Sequence, residues 1–170
     1  MFKKPRIKMT RILCVLFLGL FLSSVYAHDE NNEECESFFD NDLRFTNIKP
    51  VYDIGEFVEV YLEMDINVAS RFHRVDLWVV VEMPSGQLYF RTPFPVQPFS
   101  AEPQPFMLSL QQTDVSRHVL EFEVLPDFGG DYIIYAVYVK EGTSPMTDSF
   151  LVIRSDIAVV TTTFRDKTVP

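Results

Sequence analysis

The chain has 170 residues, a formal net charge of −9 at pH 7 and 47% hydrophobic residues. This length suits one domain, and the apolar fraction is high enough to bury a core, so global disorder is excluded. The acidic balance argues against a nucleic-acid-binding protein, which would need a basic patch. Two cysteines in the whole chain are too few for a disulfide framework.

Residues 1–27 have the pattern of a secretory signal peptide. Five basic residues and no acid precede an apolar run of 11 residues, Ile12 to Leu22. Such a run is too short to cross a bilayer core of roughly 30 Å. Small residues then occupy the two positions that signal peptidase reads, and the second of them is Ala27. The pattern predicts cleavage near Ala27, a secreted or periplasmic protein, and no membrane span in the mature chain.

Residues 28–42 hold seven acids and no lysine or arginine, which predicts a flexible, solvated arm. Cleavage after Ala27 would leave 143 residues with ten basic and 24 acidic side chains, a net charge of −14. Cys35 would then be the only cysteine. Its thiol would be either free or joined to another chain by an intermolecular disulfide.

His28 would become the N-terminal residue after this cleavage. A terminal amine and an imidazole together can chelate copper, a metal that imidazole suits, and His73 or His118 could supply a further ligand. Secreted copper carriers and copper-dependent polysaccharide oxygenases resemble this arrangement. The acidic run after His28 argues against it, because such a site needs a pinned N-terminus. Copper binding is therefore an alternative hypothesis, and the main expectation is a protein without a cofactor.

From about residue 43 the chain reads as short strands separated by turns. Residues 56–66 alternate with a period of two, which places five apolar side chains on one face: Val58, Val60, Leu62, Met64 and Ile66. The same criteria predict strands over 43–48, 56–66, 75–83, 87–91, 106–110, 119–124, 131–140 and 157–164. Residues 146–154 fit either a strand or a structured loop. The prediction is an all-β, antiparallel sandwich of seven to eight strands over 43–164, followed by a C-terminal tail, 165–170.

Residues 91–105 contain five of the 11 prolines. Proline cannot donate a backbone hydrogen bond to a sheet, so this segment is expected to be a loop or an edge crossing. Phe94, Phe99 and Phe106 alternate with the prolines. They are expected to close one end of the sandwich.

Two segments carry a resemblance to a known class of module. The first is 75–90, with a hairpin turn at 83–86, and the second is 120–143, with Gly129 and Gly130 in a turn and Tyr132 just beyond it. They resemble the immunoglobulin-like or fibronectin-III-like modules of secreted bacterial proteins, which mostly serve as spacers, adhesion units or accessory domains. The two glycines would supply the positive φ of the turn. Tyr132 resembles the tyrosine corner of these sandwiches, whose hydroxyl bonds to backbone across the turn.

The segments 75–83 and 131–140 are apolar on both faces and should be neighbours in one sheet. Their outer side chains, with one from the next strand, could form an exposed aromatic and aliphatic patch: Trp78, Val80, Tyr89, Tyr135 and Val137. Exposed apolar patches mark interfaces, so a protein partner or self-association is expected there. The alternatives are that the acidic arm or the proline-rich segment covers this face, or that Trp78 is a core residue.

The sequence contains none of the common catalytic motifs, such as a nucleophile elbow, a zinc-protease helix or a phosphate-binding loop. An enzyme is therefore not expected. The main hypothesis is a secreted, non-catalytic module for binding or structural interaction. Besides copper binding through His28, the remaining alternative is a carbohydrate-binding accessory module that uses Trp78, Tyr89 and Tyr135.

Overall fold

The structure is a computed structural model that describes residues 43–166. These residues form ten strands, one short α-helix and one 3-10 helix. The strands are β1 (Arg44–Thr46), β2 (Val51–Tyr52), β3 (Phe57–Glu63), β4 (Val75–Glu82), β5 (Leu88–Arg91), β6 (Phe99–Ser100), β7 (Met107–Leu110), β8 (Arg117–Glu123), β9 (Gly130–Lys140) and β10 (Ala158–Phe164). Helix α1 is Ala69–Phe72, and the 3-10 helix is Phe150–Val152.

The strands form two sheets with a common apolar core between them. The smaller sheet has the order β1-β3-β8, and the larger has the order β2-β10-β9-β4-β5-β6, with β7 pairing with the first part of β4. Neighbouring strands are antiparallel except for β2 and β10, which are parallel. The predicted all-β sandwich is confirmed, and the eight predicted ranges correspond to one strand each, whereas the two-residue strands β2 and β6 and the parallel pairing of β2 with β10 are additions of the structure.

The period-two alternation of β3 places its side chains as the sequence predicts. Val58, Val60 and Leu62 are at most 1% exposed, whereas Glu59 and Tyr61 between them are half-buried on the opposite face. Complete burial of one such aliphatic side chain stabilises the fold by about 1.5–3 kcal/mol. A slip of one residue would exchange the two faces, so this burial also determines the strand register.

β4 and β9 lie at the centre of the larger sheet and are apolar on both faces. Their register pairs Val79 with Ala136 on the inner face and Val80 with Tyr135 on the outer face. The inner face packs against the smaller sheet. The outer face also carries an apolar cluster. Because strands that are covered on both faces have apolar side chains at almost every position, the sequences of β4 and β9 are almost continuously hydrophobic.

The structure differs from the sequence predictions at short elements. β2, β6 and α1 are not predicted, because two to four residues carry too little periodicity to be recognised. Residues 146–154 are a structured loop with the 3-10 helix. Of the phenylalanines in the proline-rich segment, Phe106 is 9% exposed and joins the core, but Phe94 is 61% exposed and closes nothing. The predicted signal peptide, the acidic arm, His28, Cys35 and the last four residues lie outside the described residues.

Candidate functional site

The outer face of the larger sheet, where the sequence predicts an exposed patch, is covered. Trp78 and Val137 are 3% and 8% exposed and belong to a second, smaller apolar core. Val152 and Ile153, from the connection between β9 and β10, pack against this core. The prediction of an exposed patch is therefore wrong for Trp78 and Val137. Among the described residues, the cover comes from the chain that joins β9 and β10, and the alternative that Trp78 is a core residue is the one that holds.

The other three patch residues do not share one face. Tyr89 pairs with the core residue Val81, so its side chain points between the sheets, whereas Val80 and Tyr135 are paired on the outer face. The Tyr135 hydroxyl donates to Glu82 Oε2 at 3.0 Å. With Trp78 buried and Tyr89 on the inner face, no flat aromatic platform forms for a sugar ring, which removes the geometry that the carbohydrate alternative requires.

Of the three histidines of the copper hypothesis, the structure describes His73 and His118, and His28 lies outside the described residues. The His118 ring lies 5.2 Å from the Tyr61 ring, and its Nε2 lies 3.7 Å from Glu121 Oε2. His73 follows α1 with a φ of 67°. Within residues 43–166 no three His, Cys, Asp or Glu side chains are placed to hold a metal ion.

The two glycines after β8 serve different steric needs. Gly130 has a φ of 131°, and a Cβ there would lie 2.5 Å from Pro84 Cγ. Gly129 has no positive φ. It is small because the Asp166 carboxylate occupies the space of a Cβ and accepts a hydrogen bond from the Gly129 N–H at 2.7 Å. The turn thus brings the end of β10 against the start of β9.

A cleft of about 300 Å³ lies between the two sheets. All of its lining residues are apolar or aromatic: Val58, Val81, Met83, Tyr89, Phe99, Leu120, Phe122, Phe128, Tyr132, Ile134 and Phe164. Protein interiors are close-packed and contain few voids larger than a water molecule. A preformed apolar cleft of this size is therefore the main candidate for a binding site in the described residues.

The cleft has a buried floor and a partly exposed mouth. Six floor residues are at most 8% exposed: Val58, Val81, Leu120, Tyr132, Ile134 and Phe164. Four mouth residues are half-buried and the fifth, Phe128, is 41% exposed: Met83, Tyr89, Phe99, Phe122 and Phe128. Because the mouth residues come mainly from β5, β6, β8 and the turn after β8, the cleft opens between the edge of β8 and the strands β5 and β6.

Aromatic contacts hold the floor in place. The rings of Tyr132 and Phe164 are 4.6 Å apart, and the rings of Phe122 and Phe164 meet edge to face at 5.7 Å. The Tyr132 hydroxyl donates to the Phe128 carbonyl oxygen at 2.7 Å. Burial, with a smaller effect of Asp166, raises the pKa of Tyr132, so the phenol stays neutral and remains a donor. This hydrogen bond ties a mouth residue to the floor.

Arg91 borders the cleft and joins the two sheets. Its Nε donates to the Val119 carbonyl oxygen of β8 at 2.9 Å, and its guanidinium lies 5.7 Å from the centre of the Phe99 ring and 5.1 Å from that of Phe106. Burial lowers the pKa of Arg91 from a very high starting value, so the side chain keeps its charge. This cation thus lies against the aromatic ring of Phe99, one of the residues that line the cleft.

Acidic side chains surround the mouth on the β8 side. Glu121 and Glu123 are exposed on the outer face of β8, and Asp127 is exposed in the turn that follows. Glu59 of β3 lies directly opposite Glu121. The lining is thus uncharged, whereas the rim on this side is negative.

Sequence reasoning assigns the strands that line the cleft, apart from β6, but does not find the cleft itself. The alternation of β8 and β10 places Phe122 and Phe164 inward, yet it does not show that the space between them is unfilled. Phe128 is the one available signal, because an aromatic residue directly after Pro126-Asp127 in a turn has no place in a strand pattern. No helix among residues 43–166 is long and apolar enough to cross a membrane.

No protein-family model and no curated protein matches this chain. A crystal structure of the CARDB domain of the PF1109 protein from Pyrococcus furiosus, in complex with di-metal ions, is 17% identical, covers 82% of this chain and 99% of that chain, and has a TM-score of 0.38. A solution NMR structure of the same domain is 17% identical, covers 75% of this chain and 96% of that chain, and has a TM-score of 0.40. These are distant resemblances between β-sandwich folds.

The two packed sheets define the fold class of this protein. Its described residues form an all-β sandwich domain with one sheet of three strands, one sheet of seven strands, and an apolar cleft between them.

Proposed function

We propose that this protein is an exported, non-catalytic binding module that holds an apolar group of its ligand in the cleft between the sheets. The observation that carries the proposal is the cleft of about 300 Å³ with an entirely apolar or aromatic lining. A protein partner is still proposed, but its binding site is the cleft between the sheets rather than the covered outer face of the larger sheet. Export is supported by the signal-peptide pattern of residues 1–27.

The size and lining of the cleft indicate the kind of group that it accepts. A dry cavity of about 150 Å³ takes one benzene molecule, so the cleft has room for about two groups of that size. Each methylene moved from water into such a site contributes about 0.8 kcal/mol. Since the floor residues are already packed, a ligand pays little for ordering them. Aromatic rings or short aliphatic chains fit this description.

The chemistry of the lining supports a binding role rather than catalysis. The lining contains no carboxylate, histidine or cysteine, and its buried hydroxyl, that of Tyr132, is engaged with a backbone carbonyl. General acid–base or nucleophilic catalysis needs a titratable group within hydrogen-bond reach of the bound substrate. Among the described lining residues the titratable groups are the phenols of Tyr89 and Tyr132, and no carboxylate, imidazole or thiol lies in the lining to act with them.

A neutral fluorescent probe, N-phenyl-1-naphthylamine, tests the proposal. The unaltered protein should bind it saturably, whereas Val58→Phe, which adds a ring to the cleft floor, should weaken binding roughly tenfold through lost apolar burial. Val159→Phe is the matched control, because Val159 is 55% exposed on the outer face. Thermal unfolding of both variants establishes that they are folded. Absence of saturable binding, or equal binding by a folded Val58→Phe protein, would overturn the proposal.

A further inference from the structure

The two sheets have unequal widths, and the difference falls at the cleft. The smaller sheet ends at β8, whereas the larger sheet continues past β4 with β5 and β6. Arg91 of β5 reaches the Val119 carbonyl oxygen of β8, so the edge of β8 lies above β5. Tyr89 and Phe99 of β5 and β6 are then left half-buried at the cleft mouth, at the place where a fourth strand of the smaller sheet would lie.

The edge of β8 that faces this place has no strand partner among the described residues, since β8 pairs only with β3. The Val124 N–H donates to the Glu56 carbonyl oxygen of the β3 side at 2.9 Å. In an antiparallel pair the backbone groups of alternate residues point to opposite edges. The N–H and C=O groups of Glu121 and Glu123 therefore face the free edge.

Resting on the proposed function, we propose that the ligand is an extended peptide that adds to β8 as a fourth strand. Its backbone pairs with Glu121 and Glu123, and its alternate side chains enter the cleft on the face shared with Leu120 and Phe122. Strand addition of this kind obtains affinity from main-chain hydrogen bonds and specificity from pockets for every second side chain. The free edge of β8 would supply the main-chain hydrogen bonds, and the cleft would supply the pocket for alternate side chains.

Charge complementarity specifies the other side chains of the peptide. Those that point away from the cleft lie beside Glu121 and Glu123, whose carboxylates are exposed, and like charges directly across a strand pair are unfavourable. The partner strand is therefore one in which apolar residues alternate with lysine or arginine. The acidic arm of this chain, with seven acids and no lysine or arginine, and the β8 edge of a second copy are both repelled by the same carboxylates.

The test uses the purified protein and a fluorescein-labelled heptapeptide of sequence Lys-Phe-Lys-Val-Lys-Phe-Lys. We expect saturable binding that weakens with added salt. A peptide of the same sequence N-methylated at every second residue should bind at least roughly tenfold more weakly, because it cannot pair with the edge. A peptide with glutamate in place of each lysine should also bind more weakly, and the double variant Glu121→Lys/Glu123→Lys should reverse that preference.

Three results would overturn the strand-addition proposal. The first is equal affinity for the N-methylated and unmodified peptides, which would indicate adhesion by charge alone. The second is peptide binding by the folded Val58→Phe variant at the affinity of the unaltered protein. The third is equal affinity of the unaltered protein for the lysine peptide and for its glutamate counterpart, which would remove the charge complementarity with Glu121 and Glu123. Retention of the naphthylamine probe without peptide binding would reject the peptide and leave the apolar binding function in place.

Discussion

At the scale of single residues, Asp76 is a buried carboxylate that binds two backbone N–H groups from distant segments. It is 1% exposed on β4, and its two oxygens accept hydrogen bonds from the Ser109 N–H at 2.7 Å and the Gly142 N–H at 2.8 Å. Both donor residues have positive φ, 57° for Ser109 in β7 and 72° for Gly142 in the turn after β9. One buried carboxylate therefore holds a strand residue and a turn residue that are far apart in the sequence.

Replacing Asp76 by alanine should reduce the free energy of unfolding by about 3 kcal/mol, because two charge-assisted hydrogen bonds are lost and two backbone donors are left without a partner. Urea denaturation at neutral pH measures this change. Asp114→Ala is the control, since Asp114 is exposed and should change stability by less than about 0.5 kcal/mol. Equal midpoints for the two variants would contradict the structural role of Asp76.

At the scale of elements, the connection between β9 and β10 completes the sandwich by covering the outer face of the larger sheet. Ile153 forms a bridge with Val139, and the Arg154 N–H donates to the Tyr138 carbonyl oxygen at 2.8 Å. These contacts hold the 3-10 helix over Trp78, whose ring meets Phe90 edge to face at 6.1 Å. An element without strand periodicity thus buries the single tryptophan of the chain.

Because Trp78 is the single tryptophan, its fluorescence reports directly on this cover. Val152→Asp should increase quenching by acrylamide severalfold and shift the emission to the red, since a carboxylate placed against the apolar cluster costs more than about 2 kcal/mol and opens the cover. Phe150→Asp should leave quenching unchanged, because Phe150 is 72% exposed on the same 3-10 helix. A Trp78 that is readily quenched in the unaltered protein would contradict the covered face.

At the scale of the whole molecule, the unequal sheets leave both an apolar cleft and the free edge of β8. Free edges favour edge-to-edge association, and charged side chains on them oppose it. Glu121 and Glu123 are two such side chains. The same carboxylates that favour a basic partner strand would therefore also keep copies of this chain apart.

The double variant Glu121→Val/Glu123→Val should self-associate. Removing opposed carboxylates relieves about 1–2 kcal/mol of repulsion when two β8 edges meet, which corresponds to a roughly tenfold lower dissociation constant for the dimer. Sedimentation velocity over a range of concentrations measures this constant. Glu102→Val/Glu141→Val removes two exposed carboxylates elsewhere and should sediment as the unaltered protein does. Identical sedimentation of the two double variants would contradict the role of the β8 carboxylates.

Much of the fold follows from the direction of successive side chains, and the alternation of apolar and polar residues in the sequence indicates that direction. The alternation in 56–66 predicts β3 and its buried face, apart from Ile66, which is 37% exposed beyond the end of the strand. The apolar run 131–140 predicts β9, which extends by one residue to Gly130. These predictions succeed because a strand turns successive side chains to opposite faces whatever its neighbours are.

The candidate site depends on relations that no local pattern contains. Whether the Trp78 face is exposed depends on the path of residues 141–157, and whether a cleft exists depends on how many strands each sheet has. Both are set by pairing between segments far apart in the chain. Composition and periodicity alone determined that this is an acidic all-β chain with a signal-peptide pattern. Only the tertiary structure decided that residues between β9 and β10 cover the outer face of the larger sheet. It also decided that an apolar cleft remains between the two sheets beside β8.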